Sequence, residues 1–560
     1  MLKLSPAVAV SLGPSLPVAV TVSGSGSLQH MLTTINPAGA EQSSGVPVAT
    51  LVAGPNPGPV AVTVSSPGEA FQPVTATATV NPTGTITVAP IASRQAGADV
   101  PVTATLGGAP TGTTVSFTPT APDGETGLLT THSMVNSAQA ATNRDGVATV
   151  VLPDQYMSGT YQLNVSAPGY APMHTTYVVQ PGPAVKMAAV IAPSPFIDAG
   201  KSARLSVAAV DQYGNPVPGV TVPVQAHLQG AGATYTPTTA AVYGQGDAGT
   251  VTAGYRQVDA TLVVRTLAFG GQTQRLPVRV ITNPLQLIQG KGTWVPYWVW
   301  AQLGTQKMID QMKAQGMTHL YLETAASCCG FYGRLPLDRV VDAAHDAGIA
   351  VITWNYDALS NVAQDEASAQ AALAYRTRLG SGTDGFTADL EANLNAGAVG
   401  SFSAYIRQLL GPQGLYVATI YPPQDAWANT PMKTLAAYVS AFAPMAYWHG
   451  QARDYTYQSV YNYIATSVQD IEQAVPGAAV EVIAEAYDMY AYSGTGSYSP
   501  TPLEEEAALL AASDNRATGI SFYDLGTESA GESQMTRNPA LSVYRPRPTG
   551  NARGGPSSVR

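Results

Sequence analysis

From Trp294 onward the chain alternates between short apolar runs and segments of helical period, about one pair every 30 residues. Eight runs can be read: Trp294–Trp298, His319–Glu323, Ala350–Trp354, Gly385–Glu391, Tyr416–Tyr421, Ala441–Tyr447, Glu481–Ala486 and Gly519–Asp524. Runs this apolar are buried on both faces, and strands buried on both faces and joined by helices form parallel sheets. Eight such units close into a barrel. The helices have their own marks. Thr305–Gln315 and Leu337–Ala347 carry apolar residues three to four apart. Thr501-Pro502-Leu503-Glu504-Glu505 has a capping Thr, Pro in the first turn and acids at the positive helix end. An α/β (β/α)8 (TIM) barrel is therefore expected over residues 294–537.

The first half of the chain has a different composition. Residues 1–90 are rich in Val, Thr, Ala, Pro, Ser and Gly, and read as a β-rich module. Leu16–Ser23 is echoed by Gly58–Ser65, which marks two related β units or two strands of one small domain. Residues 91–181 and 183–282 each show alternating runs between turn signals, the pattern of a β-sandwich. Asp211-Gln212-Tyr213-Gly214-Asn215-Pro216-Val217-Pro218-Gly219, with Asp145-Gly146-Val147-Ala148-Thr149 before it, resembles the bacterial Ig-like domains of invasin- and intimin-type surface adhesins. The fold class expected is multidomain, with all-β Ig-like sandwiches, a linker at 283–293 and then the barrel. The resemblance implies an extracellular or cell-surface protein, and the poor signal peptide at the apolar start makes a virion surface the alternative. The N-terminal modules could serve an assembly partner.

Charge narrows the partners. The 560 residues carry 26 Lys and Arg against 36 Asp and Glu, a net charge of −10. This argues against nucleic acid or an anionic membrane as the main partner. No run of 18 apolar residues predicts a membrane span. Pro6, Pro14 and Pro17 interrupt the apolar start, which makes a poor signal peptide. Residues 538–560 read as a disordered basic tail. The only two cysteines, Cys328 and Cys329, are adjacent and read as two free thiols, with a vicinal disulfide as the alternative. The seven His show neither HxxxH nor HExxH spacing, so no metal or other cofactor is expected.

Acids gather at the expected strand ends, at Glu323, Asp357, Asp389, Glu391, Glu485 and Asp524. Aromatic residues accompany them, among them Trp294, Tyr297, Trp354, Tyr421, Tyr447, Trp448 and Tyr523. Ring faces suit the apolar faces of pyranoses, and carboxylates suit hydroxyl contacts and acid–base work. The partner expected is a polysaccharide or cell-wall glycan, with Trp294, Tyr297, Glu323, Trp354, Tyr421, Trp448, Tyr523 and Asp524 as contacts.

Asp384-Gly385-Phe386-Thr387-Ala388-Asp389-Leu390-Glu391 resembles the DGxDxDxE signature of family 18 glycoside hydrolases, the chitinase group. Pro444-Met445-Ala446-Tyr447 resembles that family's Met-x-Tyr strand. The resemblance implies a substrate-assisted mechanism. Glu391 would protonate the glycosidic oxygen, Asp389 would orient the substrate's N-acetyl group, and Tyr447 would donate to it, with Asp384 opening the motif. The chain departs from the signature at Thr387, at Trp448 and at Phe522-Tyr523. A second reading pairs Glu391 with Glu485 as acid/base and nucleophile, which requires carboxyls about 5–5.5 Å apart. A third is an inactive barrel that binds glycan or serves as a structural surface.

Overall fold

The computed structural model describes residues 84–122, 124, 137–152, 155–425, 428–451, 456–487 and 500–525, with β segments scattered between residues 2 and 82. The basic tail expected at 538–560 lies outside the described residues. The chain forms two compact units, Met1–Pro181 and Gly182–Arg560.

In the first unit, Ala19–Gly24 pairs antiparallel with Gly58–Ser65, which pairs in turn with Val74–Val80. The echoed segments are thus neighbouring strands of one sheet. After them comes a β-sandwich with sheets of five and three strands. Its core is filled by the inward alternates of each strand, such as Val100, Val102, Ala104 and Leu106.

The second unit opens with a four-on-four sandwich whose sheets close over Leu205, Val207, Val251, Leu262, Val264 and Val278. The barrel follows. Its strands are β1 Gly290–Val295, β2 His319–Ala326, β3 Ala350–Tyr356, β4 Gly385–Asp389, β5 Leu415–Ile420, β6 Ala441–Ala446, β7 Glu481–Glu485 and β8 Gly519–Tyr523. All are parallel, and β1 pairs with both β2 and β8, which closes the sheet. Seven strands fall where the apolar runs lie. The first does not. It starts at Gly290, inside the segment read as linker, and Tyr297–Leu303 is helical. Gly-Lys-Gly looks like linker because its burial depends on a distant partner. A Cβ at Gly292 would sit 2.1 Å from Nε2 of His319, so only glycine fits opposite that buried imidazole.

Helices α1 Thr305–Ala314, α2 Arg334–Asp346, α3 Val362–Ala374, α4 Ala396–Leu410, α5 Tyr457–Ala474 and α6 Pro502–Asp514 lie between the strands. Thr501 caps α6 in a capping box with Glu504. Beyond β2 a short hairpin returns through Gly330–Phe331, with Cys328 and Cys329 at its tip. These cysteines are joined in a vicinal disulfide and are not the free thiols expected. The hairpin's register, Ala325 opposite Phe331 and Ala326 opposite Gly330, leaves both cysteines in the turn.

The sandwich and barrel of this unit share a core. Phe196 and Ile281 of the sandwich pack with Trp294 and Tyr321 of the barrel. The Asp211–Asn215 loop is held by its own aspartate, which accepts from the amides of Gly182, Tyr213 and Asn215. That loop meets the barrel through Arg378. Its guanidinium donates to both oxygens of Asp338 at 3.1 and 2.7 Å, and to Oδ1 of Asn215 at 2.6 Å. The Asp338 side chain is 1% exposed. Breaking a buried pair costs roughly 3–5 kcal/mol, and the low end applies here because Arg339 stays 3.8 Å from Asp338. Arg378→Ala should therefore destabilise the barrel by about 3 kcal/mol. Denaturant unfolding followed by Trp fluorescence tests this, because all six Trp lie between residues 294 and 448.

Candidate functional site

Period-two alternation aims Thr387 and Asp389 of β4 into the barrel, and the chain continues to Glu391 at the rim. Glu323 of β2 reaches the same place. The three carboxylates line a cleft of about 470 Å³, walled by Trp294, Trp298, Trp354, Tyr356, Tyr447, Tyr487 and Tyr523. The cleft sits at the C-terminal ends of the strands, where barrels of this kind place their chemistry.

Each acid has a different setting. Asp389 is 4% exposed. The Trp354 indole donates to its Oδ2 at 3.1 Å, while Oδ1 is buried with no hydrogen-bond partner among the described residues. Burial first, and the nearby Glu391 carboxylate second, hold the Asp389 carboxyl well above the usual range, and the Trp354 donor only partly offsets them. Glu391 is partly exposed and accepts from the Tyr421 hydroxyl at 2.7 Å. Glu323 accepts from the Tyr297 backbone amide at 2.8 Å and the Tyr332 hydroxyl at 2.5 Å. Tyr447 stands edge-on to Tyr487, with ring centroids 5.4 Å apart. Burial keeps its hydroxyl un-ionised, so it can donate.

The floor is aromatic. Trp294 stacks on Tyr321 at 4.2 Å, and Trp354 meets it edge-on at 5.1 Å. The Trp294 indole is fixed by the Ser521 hydroxyl at 2.9 Å. Beneath it His319 and Tyr321 both bond to Glu481.

Several residues read as site residues stand elsewhere. Asp384 is at the opposite, N-terminal end of β4, where its carboxylate accepts from Ser194, from His345 at 2.9 Å and from the Val351 amide at 2.7 Å. Glu485 does not line the cleft. Its oxygens accept from Nδ1 and from the backbone amide of His449, at 2.7 and 3.0 Å. Trp448 is fully buried and donates to Glu504 at 3.0 Å. Tyr297 contributes its backbone amide to Glu323 and does not present its ring to the cleft. Asp524 is fully buried. Tyr332 was missed, since nothing in the sequence shows that the hairpin folds back on Glu323. His449 was missed because no metal-like spacing flags it. Among the described residues, no group of three or more His, Cys, Asp or Glu is placed to hold a metal ion.

No protein-family model and no curated protein matches this sequence. Some solved structures are similar in part. A family 18 N-acetylglucosaminidase from Paenibacillus barengoltzii is 12% identical over 44% of this chain and 99% of its own, with a TM-score of 0.32. A family 39 glycoside hydrolase from Bacteroides cellulosilyticus is 11% identical over 63% and 78%, with a TM-score of 0.33. The Escherichia coli adhesin FdeC is 18% identical over 47% and 85%, with a TM-score of 0.18.

Two outcomes follow from the electrostatics. Trp354→Phe removes the donor that favours ionised Asp389, so that carboxyl should titrate at still higher pH. Its acid carbonyl infrared band, identified by difference from Asp389→Asn, reports this. His449 lies between Glu485 and Glu504. Burial alone would lower its imidazole, but hydrogen bonds to both glutamates and their charges raise it from 6.5 to about 9. A folded value above the unfolded one stabilises fully below 6.5 and is lost as pH rises through about 9. The melting temperature should therefore fall over that interval, and fall less in His449→Gln.

Proposed function

We propose that the barrel hydrolyses glycosidic bonds in a polysaccharide containing N-acetylhexosamine, with help from the substrate's own acetamide. One observation carries this reading. Asp389 and Glu391 reach the same cleft two residues apart, and one oxygen of the buried Asp389 has no hydrogen-bond partner among the described residues. With Trp354 on Oδ2, Oδ1 is the acceptor left for an acetamide N–H.

In the empty cleft the pair holds a proton, because burial and mutual repulsion disfavour two charges. When the acetamide N–H arrives at Asp389, it supplies the donor that makes an ionised Asp389 affordable, and the proton passes to Glu391. Glu391 delivers it to the glycosidic oxygen as the C–O bond breaks. The acetamide oxygen bonds to the anomeric carbon, and Tyr447 donates to the acetamide. Water, deprotonated by Glu391, then opens the cyclic intermediate and restores the proton to the pair. Thr387, where the signature has a second Asp, bonds to the Val417 carbonyl at 3.1 Å, so the pair works without a third buried acid below it.

The two-glutamate route is less well supported, since Glu485 is occupied by His449 and lies outside the cleft walls. Display outside the cytoplasm is part of the proposal. The Cys328–Cys329 disulfide supports it, as such bonds persist in oxidising compartments. Among the described residues no helix is long and apolar enough to cross a membrane.

The test is turnover of labelled N-acetylated and non-acetylated glycans. Glu391→Gln and Asp389→Asn should each lose about 10²–10⁴-fold on N-acetylated substrates. Glu485→Gln should keep its turnover rate but melt at lower temperature. Loss of turnover in Glu485→Gln with an unchanged melting point would instead support the two-glutamate route.

A further inference from the structure

The cleft has an uneven charge. Among the described residues its walls carry Glu323, Asp389 and Glu391 and no Lys, Arg or His. The reaction above uses Asp389 and Glu391 and leaves Glu323 without a role.

Glu323 is a prepared acceptor. Its two oxygens are fixed by neutral donors, the Tyr297 amide and the Tyr332 hydroxyl. A carboxylate has about four lone-pair positions, so among the described residues about two remain open. No cationic side chain pairs with Glu323 among the described residues. Trp298 and Tyr356 stand in the same walls, and both are partly exposed. A second sign that the cleft awaits a donor is Oδ1 of Asp389, buried and unpartnered among the described residues, which the proposed reaction gives to the acetamide of the adjoining sugar. A positively charged ligand group would give Glu323 a counter-ion that no described residue supplies, whereas an anionic sugar would meet three acids and, among the described residues, no base.

We infer that the cleft takes a partially de-N-acetylated hexosamine polymer, with Glu323 holding the ammonium group of a free-amine sugar beside the N-acetylated sugar at Asp389 and Glu391. This rests on the proposed reaction and adds its substrate class. Polymers bearing carboxylates, such as uronic-acid or lactyl-ether glycans, are disfavoured by the same charges.

The experiment compares β-1,4-linked glucosamine hexamers, fully N-acetylated and partially de-N-acetylated, as substrates of the full chain near pH 6, where amines of this kind are protonated. The partially de-N-acetylated hexamer should be preferred in kcat/KM by about tenfold, equivalent to about 1.4 kcal/mol. Glu323→Gln should bring that ratio close to one, and added salt should lower it. Product sequencing should place the free amine next to the cleaved N-acetylated unit. Equal rates on the two hexamers, or a preference that survives in Glu323→Gln, would overturn the inference and leave the reaction standing. If neither hexamer is cleaved, the reaction fails for these sugars, and binding to Glu391→Gln by calorimetry decides the inference separately. Tighter, salt-sensitive binding of the amine-bearing hexamer, lost on adding Glu323→Gln, upholds it. Equal or no binding rejects it.

Discussion

The buried contact between His319 and Glu481, at the base of the barrel, sets what can be built above it. An eight-strand barrel is filled by side chains and has no pore, so every inward layer rests on the one below. Here the lowest layer is polar. Glu481 accepts from His319 at 2.7 Å and from Tyr321, and Gly292 is small so that the imidazole fits. Tyr321 then carries Trp294 on its face, and Trp294 supports Trp354 edge-on. Trp354 in turn holds Asp389. The acid at the mouth is thus positioned through a column of rings that stands on a buried glutamate.

The same strand does two jobs. Asp384 and Asp389 belong to one short motif, but five residues of strand span about 17 Å. The first must lie near the bottom if the last lies at the top. Asp384 accordingly joins three elements at the base, namely the sandwich through Ser194, α2 through His345 and β3 through Val351. Reading the motif as one site places Asp384 wrongly for this geometric reason. Reading it as a strand places both.

The barrel was legible because both-face burial leaves long apolar runs, and seven of eight strands sit on them. The first strand was not, because Gly290 to Gly292 owes its burial to residues far along the chain. Asp389, Glu391 and Glu323 were legible from parity and position at strand ends. Glu485 and Trp448 have the same residue types and comparable positions, yet His449 and Glu504 claim them. A strand-end acid differs from a cleft acid only in its partner, and a partner from a distant part of the chain, such as His449 for Glu485, leaves no local trace. The vicinal disulfide was also hidden, since adjacency alone suits either redox state.

The clamp at Asp384 bears on the chemistry through register. Strand β4 presents Thr387 and Asp389 inward only in one register, and a slip of one residue would turn its acids toward the helices. Gly385 is needed there because a Cβ would press on Leu415 of β5 at 2.9 Å, so the start of the strand tolerates little sideways change. Above it Thr387 bonds to the Val417 carbonyl, which fixes the next inward position to the same neighbour. Thr387 carries no charge, so no further acid of the strand needs burying beneath Asp389. The strand therefore reaches the cleft with its register pinned at two points, and its repulsion is confined to the pair of acids at its tip.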